Sequence, residues 1–437
     1  MKLVFFAHPE FLGLRSQAHF VRMLAQACQA RGHTVQVRQP VGTLQQRVGG
    51  WAALKWAAKW AGYADQYLLF PRELRRQAQA DAADTLYVFC DQALGPWVPA
   101  LVHRPHVVHC HDLLALRSAL GEVPENPTRA SGRLYQRYIR RGFRKARHFI
   151  SISQQSRDDL HRVGGVRPVT SEVVFNGLNH PYRPLPRQQA LALLARAGIA
   201  LPPAGLLLHV GGGQWYKNTA GVVALYARLA TQALARREPV PALLMVSPPE
   251  GANQGAVQEW LRQVPAGAQV QFRHGLDAAT LQALYSLARA LLFPSLAEGF
   301  GWPVAEALAC GCPVLTTDAA PMNEVGGKAA VYLPRLPSAA ALPAWAEAGA
   351  AQLTALLAEP PEAALARRQC GLLHAGLFDG DRAIDAYLLI YERVLRLERA
   401  ASMAPAHATA RATAQWPADA PASAAQASAR PVKRTPP

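Results

Sequence analysis

Short apolar runs rich in Val, Ile, Leu and Phe alternate along this chain with longer stretches in which apolar residues recur at helical spacing. Continuous apolar runs of strand length are what strands covered on both faces look like, and their alternation with helices predicts parallel sheets with crossover helices. In the first half the pattern places strands at Leu3–Phe6, Thr34–Gln39, Thr85–Cys90, His106–His109, Phe149–Ser153 and Val173–Phe175. In the second half it places them at Leu206–Val210, Leu243–Val246, Ala268–Phe272, Leu291–Phe293, Val314–Thr317 and Val331–Leu333. A helix over Gln17–Ala30 is ended by Gly32, and Leu281, Leu284, Tyr285 and Ala288 mark a helix feeding the Leu291 strand. The prolines of Tyr182–Arg187 and the Pro202-Pro203 pair bracket a linker region.

Length turns this pattern into two domains, because 437 residues exceed what one core usually supports. The reading is an α/β chain with two Rossmann-like, doubly wound domains. Residues 1–185 form the first domain and 186–380 the second, while 381–399 form a C-terminal helix returning to the first. From about residue 400 onward Ala, Pro, Ser, Thr and Arg dominate, which reads as a disordered tail. The apolar start Met1–Ala7 is too short for a signal peptide and reads as a buried strand, and no stretch is apolar and long enough to span a bilayer. Six cysteines without a C-x-x-C pair suit reduced thiols in a cytoplasmic protein. The net charge of +17 is unevenly placed: residues 1–187 hold 26 Lys and Arg against 12 Asp and Glu, so the excess implies an acidic partner for the first half.

The candidate chemistry lies mainly in Glu298-Gly-Phe-Gly-Trp-Pro-Val-Ala-Glu306. A strand-like run, Ala290–Phe293, precedes it, and a short helix over Ala305–Cys310, stopped by Gly311, follows. Glu298 then lies on the loop at the strand's carboxyl end and Glu306 about one turn into the helix. The amides of Gly299, Phe300 and Gly301 with the helix N-terminus suit a phosphate or polyol. Leu207-Leu-His-Val-Gly-Gly-Gly-Gln-Trp-Tyr-Lys217 is a strand entering a glycine turn, where Gly211 and Gly212 permit close backbone approach and the ammonium can neutralise phosphate. His109-Cys-His-Asp112 closes a strand of the first half; its His-x-His spacing lacks a third ligand for a metal. Asp379-Gly-Asp381 looks like a metal-binding D-x-D but precedes a helix over Arg382–Leu397, so Asp381 reads as an N-cap and no metal is expected.

The string from Phe293 to Val314 resembles the E-x7-E segment of the retaining glycosyltransferases of family 4, which have the GT-B fold with two domains facing a cleft. The Gly211–Lys217 turn, the His111-Asp112 pair, Phe149–Leu160, Val173–Gly177 and Pro321–Gly326 resemble other segments of the same family. The resemblance implies a retaining hexosyltransferase moving a mannose- or glucose-like sugar from a nucleoside-diphosphate donor to a carbohydrate or lipid-linked acceptor in polysaccharide biosynthesis. It implies no cofactor and no metal. By this resemblance Glu306 binds the donor ribose, Glu298 the transferred sugar, and Lys217 the diphosphate. The amides of Gly299, Phe300 and Gly301 support the sugar, and His111 lies at the reaction centre. The family often places an arginine soon after the first glycine of the turn, where this chain has Gly212.

Two segments bear on the acceptor. Arg129 to Arg147 carries eight Lys and Arg and no acid, interleaved with aromatic and aliphatic residues, and Trp51–Trp60 sets tryptophans and lysines at helical spacing. Arg133, Arg137, Arg140, Arg141, Arg144 and Lys145 are the candidates for contact with an acceptor or an anionic membrane on its cytoplasmic face; the alternative is helices packed on their own domain with snorkelling basic side chains. A nucleic-acid-binding protein, or a sugar-nucleotide epimerase or phosphorylase on the same fold, are the competing readings. No recognised nucleic-acid motif accompanies the basic charge.

Overall fold

The computed structural model describes residues 1–13, 15–49, 55–247 and 254–403. Trp51 and most of the polar tail from 400 onward fall outside the described residues. Twelve strands form two six-stranded sheets, parallel throughout. The first comprises β1 (Lys2–Phe6), β2 (Thr34–Arg38), β3 (Leu86–Phe89), β4 (His106–Cys110), β5 (His148–Ser151) and β6 (Thr170–Val173), in the order β2-β1-β3-β4-β5-β6. The second comprises β7 (Leu206–Val210), β8 (Ala242–Val246), β9 (Val270–Arg273), β10 (Ala290–Phe293), β11 (Val314–Thr317) and β12 (Val331–Leu333), in the order β12-β11-β10-β7-β8-β9. All twelve expected strands exist. Central strands such as β3, β4, β8 and β10 are buried at every residue, the consequence of helices on both faces.

The differences fall at edges. The last strand of the first sheet spans Thr170–Val173 and not Val173–Phe175. An edge strand keeps polar residues such as Ser171 and Glu172, so apolar content alone marks the wrong register, and Phe175 leaves the sheet to stack near Phe300 and Phe378. The stretch read as a linker contains the helix Arg187–Arg196, whose Ala190 and Leu194 are buried in the core of the second sheet. Helical structure also fills 55–80: Lys55–Ala64 passes through a π-type turn, Asp65–Leu69, into Phe70–Ala80. That turn buries Asp65, whose carboxylate accepts from the amides of Leu44 and Gln45 at the start of the helix Thr43–Gly49.

The helix Gly380–Met403 packs back onto the first sheet. Ile384, Tyr387 and Tyr391 share a buried cluster with Leu3, Phe5, Leu24 and Val88, and the Tyr391 hydroxyl meets Nε2 of the buried His109 at 2.7 Å. Asp379, rather than Asp381, caps this helix: its Oδ1 accepts from the Arg382 amide at 2.8 Å. Asp381 instead pairs with Arg31, which also holds Asp385.

Candidate active site

Both sheets reverse their strand order once, and the loops at the carboxyl ends of the strands flanking a reversal form the crevice in which open α/β sheets bind ligands. In the second sheet the reversal lies between β7 and β10. The glycine turn after Val210 and the loop after Phe293 are therefore neighbours by topology. The structure joins them through one ion pair, Lys217 Nζ to Glu298 Oε1 at 2.8 Å, with both side chains nearly buried. The ammonium also lies 4.7 Å from the centroid of the Phe293 ring. Space at Gly211 is tight: a Cβ there would stand 3.1 Å from both Nε2 of His209 and Cδ of Lys217, so either side chain would have to shift by a few tenths of an ångström. Asn218, at φ 52°, turns the chain into the helix Thr219–Ala235 and donates from Nδ2 to the Pro294 carbonyl, tying the turn to the β10 loop.

Beyond Glu298 the chain passes Gly299 and the buried Phe300, and Gly301, at φ 97°, opens the helix Trp302–Ala309 with Pro303 in its first turn. The amides of Gly299, Phe300 and Gly301 meet no acceptor among the described residues. The Phe300 side chain points into the core beside Phe175 and Phe378, so only its backbone is left to the site. Glu306 is 7% exposed and accepts a hydrogen bond from the Tyr285 hydroxyl at 2.8 Å. Burial pushes its carboxyl up to about 7, against the Tyr285 bond and the Lys217 charge, which lower it.

In the first sheet the reversal lies between β1 and β3. The residues just beyond these strands, His8 and Asp91, meet at 3.0 Å. Next to them β4 delivers His111 and Asp112. His111 is held three ways: Nε2 donates to the Cys90 carbonyl at 2.8 Å, its amide donates to Gln92 Oε1, and its ring lies edge-on to Phe20. Burial lowers its pKa, favouring the neutral imidazole. Gln92 also donates to the Asp112 carbonyl at 2.6 Å, so one side chain clamps both residues. Asp112 makes no bond to His111; its Oδ1 accepts from the Leu114 amide, and burial pushes its carboxyl to about 6, aided by the negative charges of Asp91 and Glu298.

The two halves touch at Gly299. A Cβ there would stand 2.7 Å from the His111 carbonyl oxygen, and the Gly299 carbonyl accepts from Ser153 Oγ at 2.9 Å. Ser156 Oγ donates to the His111 carbonyl at 2.9 Å. Glu324, from the second half, accepts from the amides of Gln154 and Gln155 at 2.7 and 2.9 Å, at the start of the helix Gln154–Asp159. His111, Asp112, Lys217, Glu298 and Gly299 thus form one constellation, with Glu306 behind it. His8, Asp91, Gln92, Ser153, Tyr285 and Glu324 were not singled out from sequence. Their positions immediately after strands, for His8, Asp91 and Ser153, were the available signal.

The basic helix spans Ala130–Phe143, and its six candidates do not act together. Arg140 and Arg144 donate to the carbonyls of Gly164 and Gly165, which makes them braces for that turn. Arg133 and Arg137 are exposed, while Arg141 and Lys145 border a cavity. No group of three His, Cys, Asp or Glu suited to a metal occurs among the described residues, and none of their helices is long and apolar enough to cross a membrane.

Residues 201–335 match the sequence model of glycosyl transferases group 1, and residues 17–177 match that of a glycosyl transferase 4-like domain. Among curated proteins the chain is similar to O-antigen chain mannosyltransferase B of Escherichia coli, 25% identical over 60% of this chain and 64% of that protein. It is also similar to D-inositol 3-phosphate glycosyltransferase of Mycolicibacterium paratuberculosis, 28% identical over 69% of this chain and 63% of that one. The alignments span just under two thirds of the length of these relatives. Among solved structures it resembles sucrose-phosphate synthase from Thermosynechococcus elongatus, with TM-score 0.63 and 17% identity over 91% of this chain and all of that one. HepE from Anabaena, in complex with UDP and glucose, gives TM-score 0.62 and 17% identity over 90% of this chain and all of that one. At such identity these two likenesses speak to fold, while the two matched segments carry the family: this chain belongs to the glycosyl transferases of group 1, built on the two-domain GT-B fold.

Proposed function

We propose that the protein transfers a mannose- or glucose-like sugar, with retention and without a metal, from a nucleoside-diphosphate sugar to a carbohydrate or lipid-linked acceptor in polysaccharide assembly. The observation that carries this reading is the Lys217–Glu298 pair at the strand-order reversal of the second sheet, with Glu306 about one turn into the helix that follows. The glycine turn and Lys217 suit a diphosphate, whose charge competes with Glu298 for the ammonium. Released from Lys217, Glu298 becomes an acceptor for hydroxyls of the transferred sugar. Glu306 is an acceptor of the right kind for the donor's ribose hydroxyls, reached by exchanging its bond from Tyr285. As the sugar–phosphate bond breaks, Lys217 balances the charge growing on the departing diphosphate. Asp112 and Glu298 place negative potential beside the oxocarbenium-like carbon. His111, fixed through Nε2 and its amide, sets its backbone carbonyl against Gly299 of the Glu298 loop. The O-antigen mannosyltransferase among the relatives favours a polysaccharide acceptor.

A thermal-shift panel of UDP, GDP, ADP and dTDP tests the donor site. At a hundredfold over the dissociation constant a ligand stabilises by about 2.7 kcal/mol. One nucleotide is expected to stabilise the wild type, with or without EDTA, and to fail on Glu306→Ala. The Glu298→Ala and Lys217→Ala variants are expected to melt cooperatively yet lose sugar transfer. Wild-type turnover in both variants, or no nucleotide shift at all, would overturn the reading.

A further inference from the structure

Two helical segments far apart in sequence bring their exposed apolar side chains to one face. Trp56, Trp60, Leu68 and Leu69 belong to the first, and Leu134 and Tyr138 to the second, with Trp56, Trp60 and Leu134 each about two thirds exposed. The segments are joined by tyrosines: the hydroxyls of Tyr67 and Tyr135 meet at 2.6 Å, and the rings of Tyr67 and Tyr138 stack edge-on at 5.5 Å. Trp60 in turn packs edge-on against Tyr63, which lies 6.1 Å from Tyr135. Beside this patch lies a cavity of about 290 Å³, bordered by Tyr67, Leu68 and Tyr138 and by four cations, Arg72, Arg75, Arg141 and Lys145. No carboxylate borders it.

The cations are not spent on ion pairs. Among the described residues Arg75, Arg141 and Lys145 have no carboxylate partner, and Arg72 donates only to the Leu68 carbonyl. Glu73, the acid of the same helix, is turned away to Arg76 and Gln77. The basic helix is seated closely on the segment Gln92–Ala100, which lines the cavity through Pro96 and Pro99: Gly142 and Gly95 bring the two backbones together, and a Cβ on either would strike the other. Four like charges held round one cavity repel one another, and an anion seated among them removes that cost.

The geometry points to this face as a docking surface for an anionic phospholipid bilayer, with a lipid phosphodiester seated among Arg72, Arg75, Arg141 and Lys145. Trp56, Trp60, Leu68 and Leu134 enter the headgroup boundary. Aliphatic side chains at the rim favour lipid over a nucleic-acid strand, which calls for stacking platforms along a continuous basic track. The cavity, roughly ten water volumes, admits a phosphodiester with part of its glycerol. Arg72 and Arg75 come from a segment that sequence reading did not associate with the basic helix.

Co-sedimentation of the full chain with vesicles tests this, using phosphatidylcholine alone and phosphatidylcholine mixed with phosphatidylglycerol. Wild type is expected on the mixed vesicles and not on the zwitterionic ones. The double variant Arg75→Gln, Arg141→Gln is expected to lose roughly thirtyfold in partitioning, from about 1 kcal/mol per basic residue at the surface. Arg133→Gln with Arg137→Gln removes the same charge outside the cavity and is expected to lose distinctly less. Trp60→Ser with Leu134→Ser is expected to weaken binding to the same vesicles. Unchanged melting temperatures establish that the variants fold. Equal losses in the two arginine pairs, no binding of wild type to the mixed vesicles, or tighter retention by single-stranded DNA than by those vesicles would overturn the proposal.

Discussion

Glu306 shows how one residue couples the site to stability. Its carboxyl is held near 7 in the folded chain by burial, against 4.5 when free, so the native state binds the proton more tightly. Stability therefore falls as pH rises from about 4.5 to about 7 through this group, by up to about 3 kcal/mol. The buried His109 and His209 work in the opposite direction, since burial lowers them to about 3 and about 4 and stability from them is lost as pH falls below 6.5. The difference between wild type and Glu306→Gln isolates the carboxyl. The variant is expected to gain melting temperature over wild type progressively between about pH 4.5 and about pH 7 and to hold that gain above it. Parallel profiles would show that the carboxyl is not perturbed. At Gly299 the constraint is steric: alanine would drive a methyl onto the His111 carbonyl, 2.7 Å away. Urea unfolding of Gly299→Ala is expected to show a loss of about 1–3 kcal/mol, with transfer reduced further than stability explains. Glu298 and Glu306 could be singled out from sequence because they share one loop and helix, and Lys217 because it follows a glycine turn; that Lys217 and Glu298, 81 residues apart, meet was for the fold to show. Tyr285, which holds Glu306, and Gln92, which clamps His111 and Asp112, could not be singled out, because only the fold decides which side chains face them.

At the level of elements, the strands were legible and some of their ends were not. A strand buried on both faces, such as β8 or β10, is written as an unbroken apolar run, whereas β6 at an edge has three polar residues in four and starts three residues earlier than the apolar pattern placed it. The long helical stretch from 55 to 80 went unread beyond its tryptophan-rich start, because Gly62 and Pro71 interrupt its pattern and a π-type turn shifts its face. Helix starts also tie the halves together. The helix Gln154–Asp159 receives Ser153 as its own cap and the Glu324 carboxylate from the second half. Replacing Glu324 by alanine leaves those amides without a charged acceptor and is expected to cost about 1–2 kcal/mol in urea unfolding. An unchanged midpoint would show that solvent replaces the carboxylate without cost.

For the whole molecule, alternation of strands and helices was enough to call for two parallel sheets, and the glycine turn and E-x7-E loop, read separately from sequence, lie together at the strand-order reversal of the second. The contact between Gly299 and His111 required both halves at once. Arg335, reaching across to Glu125 at 2.7 Å, is a second tie of this kind. The returning helix adds a third, because Ile384, Tyr387 and Tyr391 complete the apolar cover of β1 and β3. That cover fixes an order of events during synthesis. When the last strand of the first sheet leaves the ribosome, the side chains that seal its face are still roughly 200 residues from being made, a wait of about 10–40 s at ordinary rates of synthesis. Until then Phe5 and Val88 on the sheet, and Phe20 on the helix packed against it, lack the part of their apolar cover that Ile384, Tyr387 and Tyr391 supply, so a gene cut before Gly380 is expected to yield a chain that collects in the insoluble fraction.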